Sequence, residues 1–229
     1  MGLPLRSDEF CVNLDLTARL NMKPTSSGPF LRVCFGIAAI FAVSGCSIPL
    51  FRFGVGGRYL EAKEEITRPQ GGKIDKAILN LEGIVRENPT YEDSLTLLGR
   101  AYYKKGRYQD AYLILQRALA VNKEDEIAWM VLGLAQMRLG QDQKALDSIK
   151  GGITLLSKAM SDNYRGFSGW DRQGTVRTSA RRSIFLATKG LEEKENLMRS
   201  IELLIGRIDE EEWQQGRDRA MERITETGP

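Results

Sequence analysis

The residue type best placed for chemistry in this chain is a cysteine. Cys46 closes the tetrad Val43-Ser44-Gly45-Cys46 at the end of an uncharged apolar run, Val33 to Val43. Lys23 and Arg32 precede the run with no acidic residue between them. The other two cysteines, Cys11 and Cys34, lie upstream. The chain has no histidine. That excludes Ser-His-Asp and Cys-His nucleophile sites, histidine general bases and the usual zinc sites. Carboxylate-only chemistry is left, which keeps as a rival reading a glycan-acting envelope enzyme or accessory using carboxylates and the aromatic loop 164–172. No Gly-rich phosphate loop, metal-ligand cluster or nucleophile elbow occurs. The reading is therefore no catalytic residue, no metal and no cofactor.

The tetrad resembles the lipobox of bacterial lipoprotein signal peptides. The resemblance implies cleavage before Cys46, a diacylglycerol on its thiol, and anchoring to a membrane by acyl chains. Residues 22–45 then read as the signal peptide, with an apolar core of suitable length. Residues 1–21 carry Asp8, Glu9 and Asp15, which do not suit a signal, and read as a misassigned upstream start. Residues 46–57, with Pro49 and three glycines, read as a tether. The alternative is an uncleaved anchor, because Val33 to Phe51 is 19 uncharged residues and long enough to span. Ser44, Gly45, Ser47 and Pro49 dilute that run. By resemblance to Gram-negative sorting rules, Ser47 after the cysteine implies the periplasmic face of the outer membrane.

The chain has 229 residues, 33 basic and 30 acidic. The part from Cys46 onward is about +2, which is no electrostatic footprint for nucleic acid. That part is long enough for one domain with a sizeable core.

From Arg58 onward the spacing is helical, and a repeat is present. Leu95-x2-Leu98-Gly99-x2-Tyr102 recurs 34 residues later as Trp129-x2-Leu132-Gly133-x2-Gln136. The offset persists at Gly106 and Gly140, Ala111 and Ala145, and Leu115 and Ile149. Residues 92–125 and 126–159 therefore resemble two tetratricopeptide repeats, each a pair of antiparallel helices. A degenerate unit, 58–91, precedes them. Small residues such as Gly99 and Ala111 allow close approach of the helices, and Gly106 and Gly140 suit a left-handed residue past a helix end. Departures from the family pattern are Lys123 for proline, Gln136 for an aromatic and Gly152 for alanine.

The resemblance implies a groove lined by the first helix of each repeat, and a protein partner within it. The implied groove positions include Asp93, Thr96, Arg100, Tyr103 and Lys104 in one repeat. In the next they are Ile127, Met130, Leu134, Met137 and Arg138. The first set is polar and the second rich in methionine, which adapts to varied partners. A hydrophobic segment with an acidic flank would fit an open groove. The other reading is that the C-terminal helices cover this face, since repeat arrays need their last apolar surface closed.

Residues 160–175 read as a loop whose Tyr164, Phe167 and Trp170 either anchor it on the domain or meet a partner or glycan. In 176–229 helical spacing returns. Val176, Ala180, Ile184, Ala187 and Leu191 form one expected seam, and Leu197, Ile201, Leu204 and Ile208 another, with a break near Gly190. The acid run Asp209 to Glu212 reads as a helix N-terminus, and Trp213 as the one anchor of a solvated tail. The fold class is all-α: a short helical-hairpin solenoid with a C-terminal helical extension. The function expected is a lipid-anchored adaptor or assembly factor of the bacterial cell envelope, acting on a protein partner rather than nucleic acid or a small molecule.

Overall fold

The computed structural model describes residues 54–68, 71–162, 164 and 169–226. Residues 49–229 form one compact unit. Cys46, the apolar run before it and Phe167 lie outside the described residues. Among the described residues every regular element is helical: α1 (Val55–Thr67), α2 (Ile74–Glu87), α3 (Ser94–Lys104), α4 (Tyr108–Val121), α5 (Glu126–Arg138), α6 (Asp142–Ser161), α7 (Thr175–Lys189) and α8 (Lys194–Glu226). Consecutive helices pack as hairpins α1–α2, α3–α4, α5–α6 and α7–α8, and each hairpin packs on the next.

The turns inside the two repeats share one construction. Gly106 and Gly140 both have φ of +75°, a conformation open to glycine without steric cost. After each glycine the chain closes the same bond, Arg107 N–H to Tyr102 O at 2.9 Å and Gln141 N–H to Gln136 O at 2.9 Å. These bonds satisfy carbonyls that the helix ends leave without partners. The link between repeats is also repeated. Asn88 Oδ1 accepts from Thr90 N–H at 3.2 Å, and Asn122 Oδ1 accepts from Glu124 N–H at 3.0 Å. A side-chain oxygen holding its own turn does the work of a proline, so Lys123 is tolerated where Pro89 stands one repeat earlier.

The glycines on the helices mark where backbones meet. A Cβ on Gly99 would lie 2.5 Å from Leu115 Cγ, and one on Gly133 would lie 2.5 Å from Ile149 Cγ1 and 2.8 Å from the Ala145 carbonyl oxygen. Gly152, a departure from the family pattern, is explained the same way. A Cβ there would reach 2.7 Å from Met130 Cγ and 2.9 Å from the Glu126 carbonyl oxygen. The close approach of α5 and α6 extends one turn further than alanine would permit. Gln136 stands where the preceding repeat has Tyr102. Both are buried and both keep a polar partner, Ser148 Oγ donating to Gln136 Oε1 at 2.7 Å and Tyr102 Oη to Glu82 at 2.6 Å. Burial and the Glu82 carboxylate push the Tyr102 phenol up to about 12.

The C-terminal hairpin departs from expectation in three places. Ile184 and Leu191, expected on the inward seam, are 43% and 41% exposed. Ser183 and Leu186 turn inward instead, and Ser183 Oγ meets Ser200 Oγ at 2.8 Å between α7 and α8. Periodicity alone could not separate these rows, because a one-residue rotation of α7 exchanges them. The acid run Asp209 to Glu212 lies in the middle of α8 rather than at its N-terminus. Trp213 is no anchor: it is 60% exposed, with the Arg217 guanidinium 3.9 Å from its ring centre. The break at Gly190 is a four-residue 3-10 turn, Gly190–Glu193. The second expected seam, Leu197, Ile201, Leu204 and Ile208, is buried.

Candidate protein-interaction site

Groove residues of both repeats share recesses with α8. Ile127, Met130, Leu134 and Met137 are at most 5% exposed. They belong to the same apolar core as Leu197, Ile201, Leu204, Ile205 and Ile208 of α8. Ile127 shares the wall of one recess with Ile208, and Leu134 that of another with Ile205. Of the two readings left open by the sequence, the structure has the covered one for Ile127 and Leu134, while Met130 lies against Gly152 of α6. The chain's own last helix occupies the face where a partner segment was the alternative.

Polar contacts fix the register of α8. Its acid run, read N-terminal to C-terminal, meets a different element at nearly every residue. Asp209 accepts from the buried Arg100 of α3. Glu211 accepts from Asp171 N–H at 2.9 Å, in the loop before α7. Glu212 lies 3.7 Å from Lys63 of α1, which also lies 3.7 Å from Asp93. Glu210 stays on α8 with Arg207 at 2.7 Å. Further along, Glu202 accepts from Tyr103 Oη at 2.6 Å, Glu195 lies 3.9 Å from Arg138, and Lys194 reaches Asp142 at 2.5 Å. Burial pulls the Arg100 pKa down, but Asp209, with Asp93 and Glu212 beyond it, outweighs burial and leaves it raised.

Removing one partner of a buried pair leaves an uncompensated charge. Asp209→Asn should therefore cost about 3 kcal/mol, read as a urea-midpoint shift at unchanged m-value. Arg100→Met in the same chain should recover most of that loss. A midpoint unmoved by Asp209→Asn would show that Arg100 and Asp209 are not paired in solution.

The Tyr164 and Trp170 loop docks on the same end of the array. The two rings stack with centres 4.0 Å apart, both buried, and Tyr164 Oη donates to Glu126 Oε1 at 2.6 Å. Of the two readings of this loop, anchoring is the one seen for these two aromatics. Asp171, wholly buried with φ of 52°, then starts α7 by accepting from Val176 N–H at 2.8 Å and Arg177 N–H at 2.9 Å.

A cleft of about 420 Å³ remains between α3, α5 and α8. Val131, Leu134 and Ile205 supply apolar walls, and Tyr103 and Tyr108 supply phenols whose rings are 5.5 Å apart. Arg100, Lys104 and Arg138 line it as cations, facing Glu202 and Asp209. Lys104 and Arg138 are exposed. The Lys104 ammonium donates to the Ile66 carbonyl oxygen and has no carboxylate among the described residues within ion-pair distance. Desolvation and the neighbouring Arg100 hold its pKa below the usual lysine range. At Gly206, on the α8 wall, an added Cβ would meet nothing within 4 Å. Of the ten groove positions expected from sequence, Arg100, Tyr103, Lys104, Leu134 and Arg138 meet in this cleft; Asp93, Thr96, Ile127, Met130 and Met137 do not line it. Ile205, Gly206 and Asp209 complete it from a helix that sequence periodicity could not place there. The complement between the 209–212 acids and the groove cations was the one available signal.

A second recess, about 460 Å³, is acidic, with Glu92, Asp93, Asp125 and Glu126 on its walls. Asp125 is committed structurally: Oδ1 accepts from Ala128 N–H at 2.8 Å as the cap of α5, and Oδ2 accepts from Thr96 Oγ1 at 2.6 Å. Desolvation raises its pKa against the pull of those two bonds. A carboxyl whose pKa is higher folded than unfolded favours the folded state at low pH, and that contribution is lost as pH rises through the folded pKa. Asp125→Asn, which keeps the cap, should therefore be at least as stable as the parent near pH 7. Its relative advantage should shrink on acidification below the usual carboxylate range, measured as urea midpoints near pH 7 and pH 3. A variant clearly weaker at neutral pH would contradict this account of Asp125.

No group of carboxylates among the described residues is arranged to hold a metal ion. No helix among them is long and apolar enough to cross a membrane. Residues 70–135 match the tetratricopeptide repeat family model. No curated protein matches the chain. Among solved structures, the crystal structure of MamA is similar over 87% of this chain and 99% of that one, at 19% identity and a TM-score of 0.44.

Proposed function

We propose, from the premise that this chain carries tetratricopeptide repeats, that it is a lipid-anchored, non-enzymatic adaptor or assembly factor of the bacterial cell envelope. Its protein partner enters the cleft beside α8. The observation that carries this reading is the cleft itself: apolar walls at Val131, Leu134 and Ile205, with Lys104 and Arg138 exposed at its edge. An apolar side chain flanked by a carboxylate matches that arrangement, since buried apolar area supplies affinity and the cations select the flank. Ile127 and Leu134 already share recesses with α8, so the partner is read by this cleft rather than along the whole repeat face.

The anchor rests on the Val43-Ser44-Gly45-Cys46 tetrad, with Cys46 as the acylated residue, and Ser47 supports the periplasmic face of the outer membrane. The repeat domain would then stand off the bilayer on a tether shorter than the expected 46–57, since α1 begins at Val55.

Two substitutions separate the halves of the proposal. Gly206→Leu places a side chain in the open cleft on a helical position where leucine outranks glycine. A photo-reactive residue at Tyr108 should capture a partner in intact cells, and Gly206→Leu should abolish capture without lowering the thermal midpoint. Capture that persists in that folded variant would place the partner elsewhere. Cys46→Ser should leave an unprocessed chain without acyl label; continued acylation would remove the anchor.

A further inference from the structure

We infer that the outward face of α7 is a contact surface for an anionic lipid bilayer. The buried residues of α7, Val176, Ala180, Ser183, Leu186 and Ala187, define one side of the helix. The opposite side carries Arg177, Arg181, Arg182 and Lys189 together with Ile184 and Phe185, all exposed. No acidic residue occurs between Thr175 and Lys189, although the whole chain is nearly balanced in charge. Arg177 lies 3.9 Å from the buried Asp171. Arg181, Arg182 and Lys189 have no carboxylate among the described residues within ion-pair distance. Along α8, by contrast, Glu195, Asp209 and Glu212 lie beside Arg138, Arg100 and Lys63.

The apolar members decide the kind of partner. Phe185 is 59% exposed in the middle of the cationic face, with Lys189 Nζ 5.5 Å from its ring centre. Ile184 borders a shallow recess of about 370 Å³ shared with Met160, Ala180, Arg177 and Arg181. Cations that reach phosphates, with a phenyl ring and an isoleucine between them, are the composition of a helix lying in a membrane interface. An acidic protein would satisfy the arginines but would leave the central Phe185 without a reason to be exposed. The inference rests on the composition of the α7 face and not on the lipid at Cys46.

The test uses the full chain and a reporter local to α7, because the apolar segment 33–51 will itself bind vesicles. Phe185→Trp introduces an indole at that position, and its quenching by brominated acyl chains, relative to the parent, reports insertion there. Quenching is expected on vesicles containing phosphatidylglycerol, and not on phosphatidylcholine alone. The double substitution Arg181→Gln with Arg182→Gln should weaken that partitioning on the order of thirtyfold, and raised salt should weaken it further. Equal quenching on both lipids, or none on either, would overturn the inference. So would shielding of the indole by polyglutamate without vesicle quenching, which would assign the face to an acidic protein.

Discussion

A chain ended at Glu193 should expose the apolar groove and lose its solubility. Six buried apolar residues of α8, Leu197, Met198, Ile201, Leu204, Ile205 and Ile208, would be removed. Their burial is worth on the order of 10 kcal/mol as an upper figure, comparable to the whole stability of a domain. Ile127 and Leu134 would lose the residues that share their recesses. Arg100 would lose Asp209 and stand as a buried cation without its partner. The expected result is strong binding of a hydrophobicity-sensitive dye, concentration-dependent aggregation and a thermal midpoint lowered by tens of degrees or no cooperative transition. A truncated chain that stays monomeric, binds no dye and melts with the parent would mean that α8 is dispensable to the fold.

The two glycines at equivalent positions of the two repeats should respond differently to one added methyl. At Gly99 the atoms in the way belong to the Leu115 side chain, at 2.5, 2.6 and 3.3 Å, which can rotate aside. At Gly133 the Ala145 carbonyl oxygen at 2.8 Å and the Ile149 nitrogen at 3.1 Å belong to the backbone of α6. Backbone cannot yield without separating the two helices. Gly133→Ala should cost about 3 kcal/mol, the upper part of the range for overpacking, and Gly99→Ala about 1 kcal/mol, partly offset by alanine's better helix propensity. Urea midpoints of the two single variants check this. Equal costs would mean that the hairpins adjust as rigid bodies and that the close approach at α5–α6 is not fixed by backbone contact.

What the sequence carried and what it did not follow from the range of the forces involved. Helix pairs, their turns and the small residues between them repeat at a fixed offset because each is settled within about 34 residues of its neighbours. Gly106, Gly140, Gly99 and Ala111 could therefore be assigned roles before any coordinates. The position of α8 depends on contacts such as Arg100 to Asp209, which are 109 residues apart. Helical spacing is silent about which distant face an amphipathic helix will choose. The same limit explains Ile184: an apolar residue at helical spacing was read as core, and packing of α7 on α6 and α8 placed Ser183 there instead. The acid run is instructive for a different reason. Four acids in a row suit a helix N-terminus by local electrostatics, but cations on α1 and α3 attract two of them and a loop N–H a third. Tyr164 and Trp170 were recognisable as candidate anchors by their isolation in a polar stretch, while Asp171 between them and α7 gave no sign of its capping role.

Occupation of the repeat groove by the chain's own last helix underlies the reading of the cleft, since α8 forms one of its walls. Amide hydrogen exchange on the full chain tests it directly. Amides of α8 from Ile201 to Ile208 should exchange as slowly as those of α5, because the two helices bury one another and would open together. Slow exchange in α5 with fast exchange in that segment of α8 would contradict the account, leaving an open groove and a cleft without its third wall.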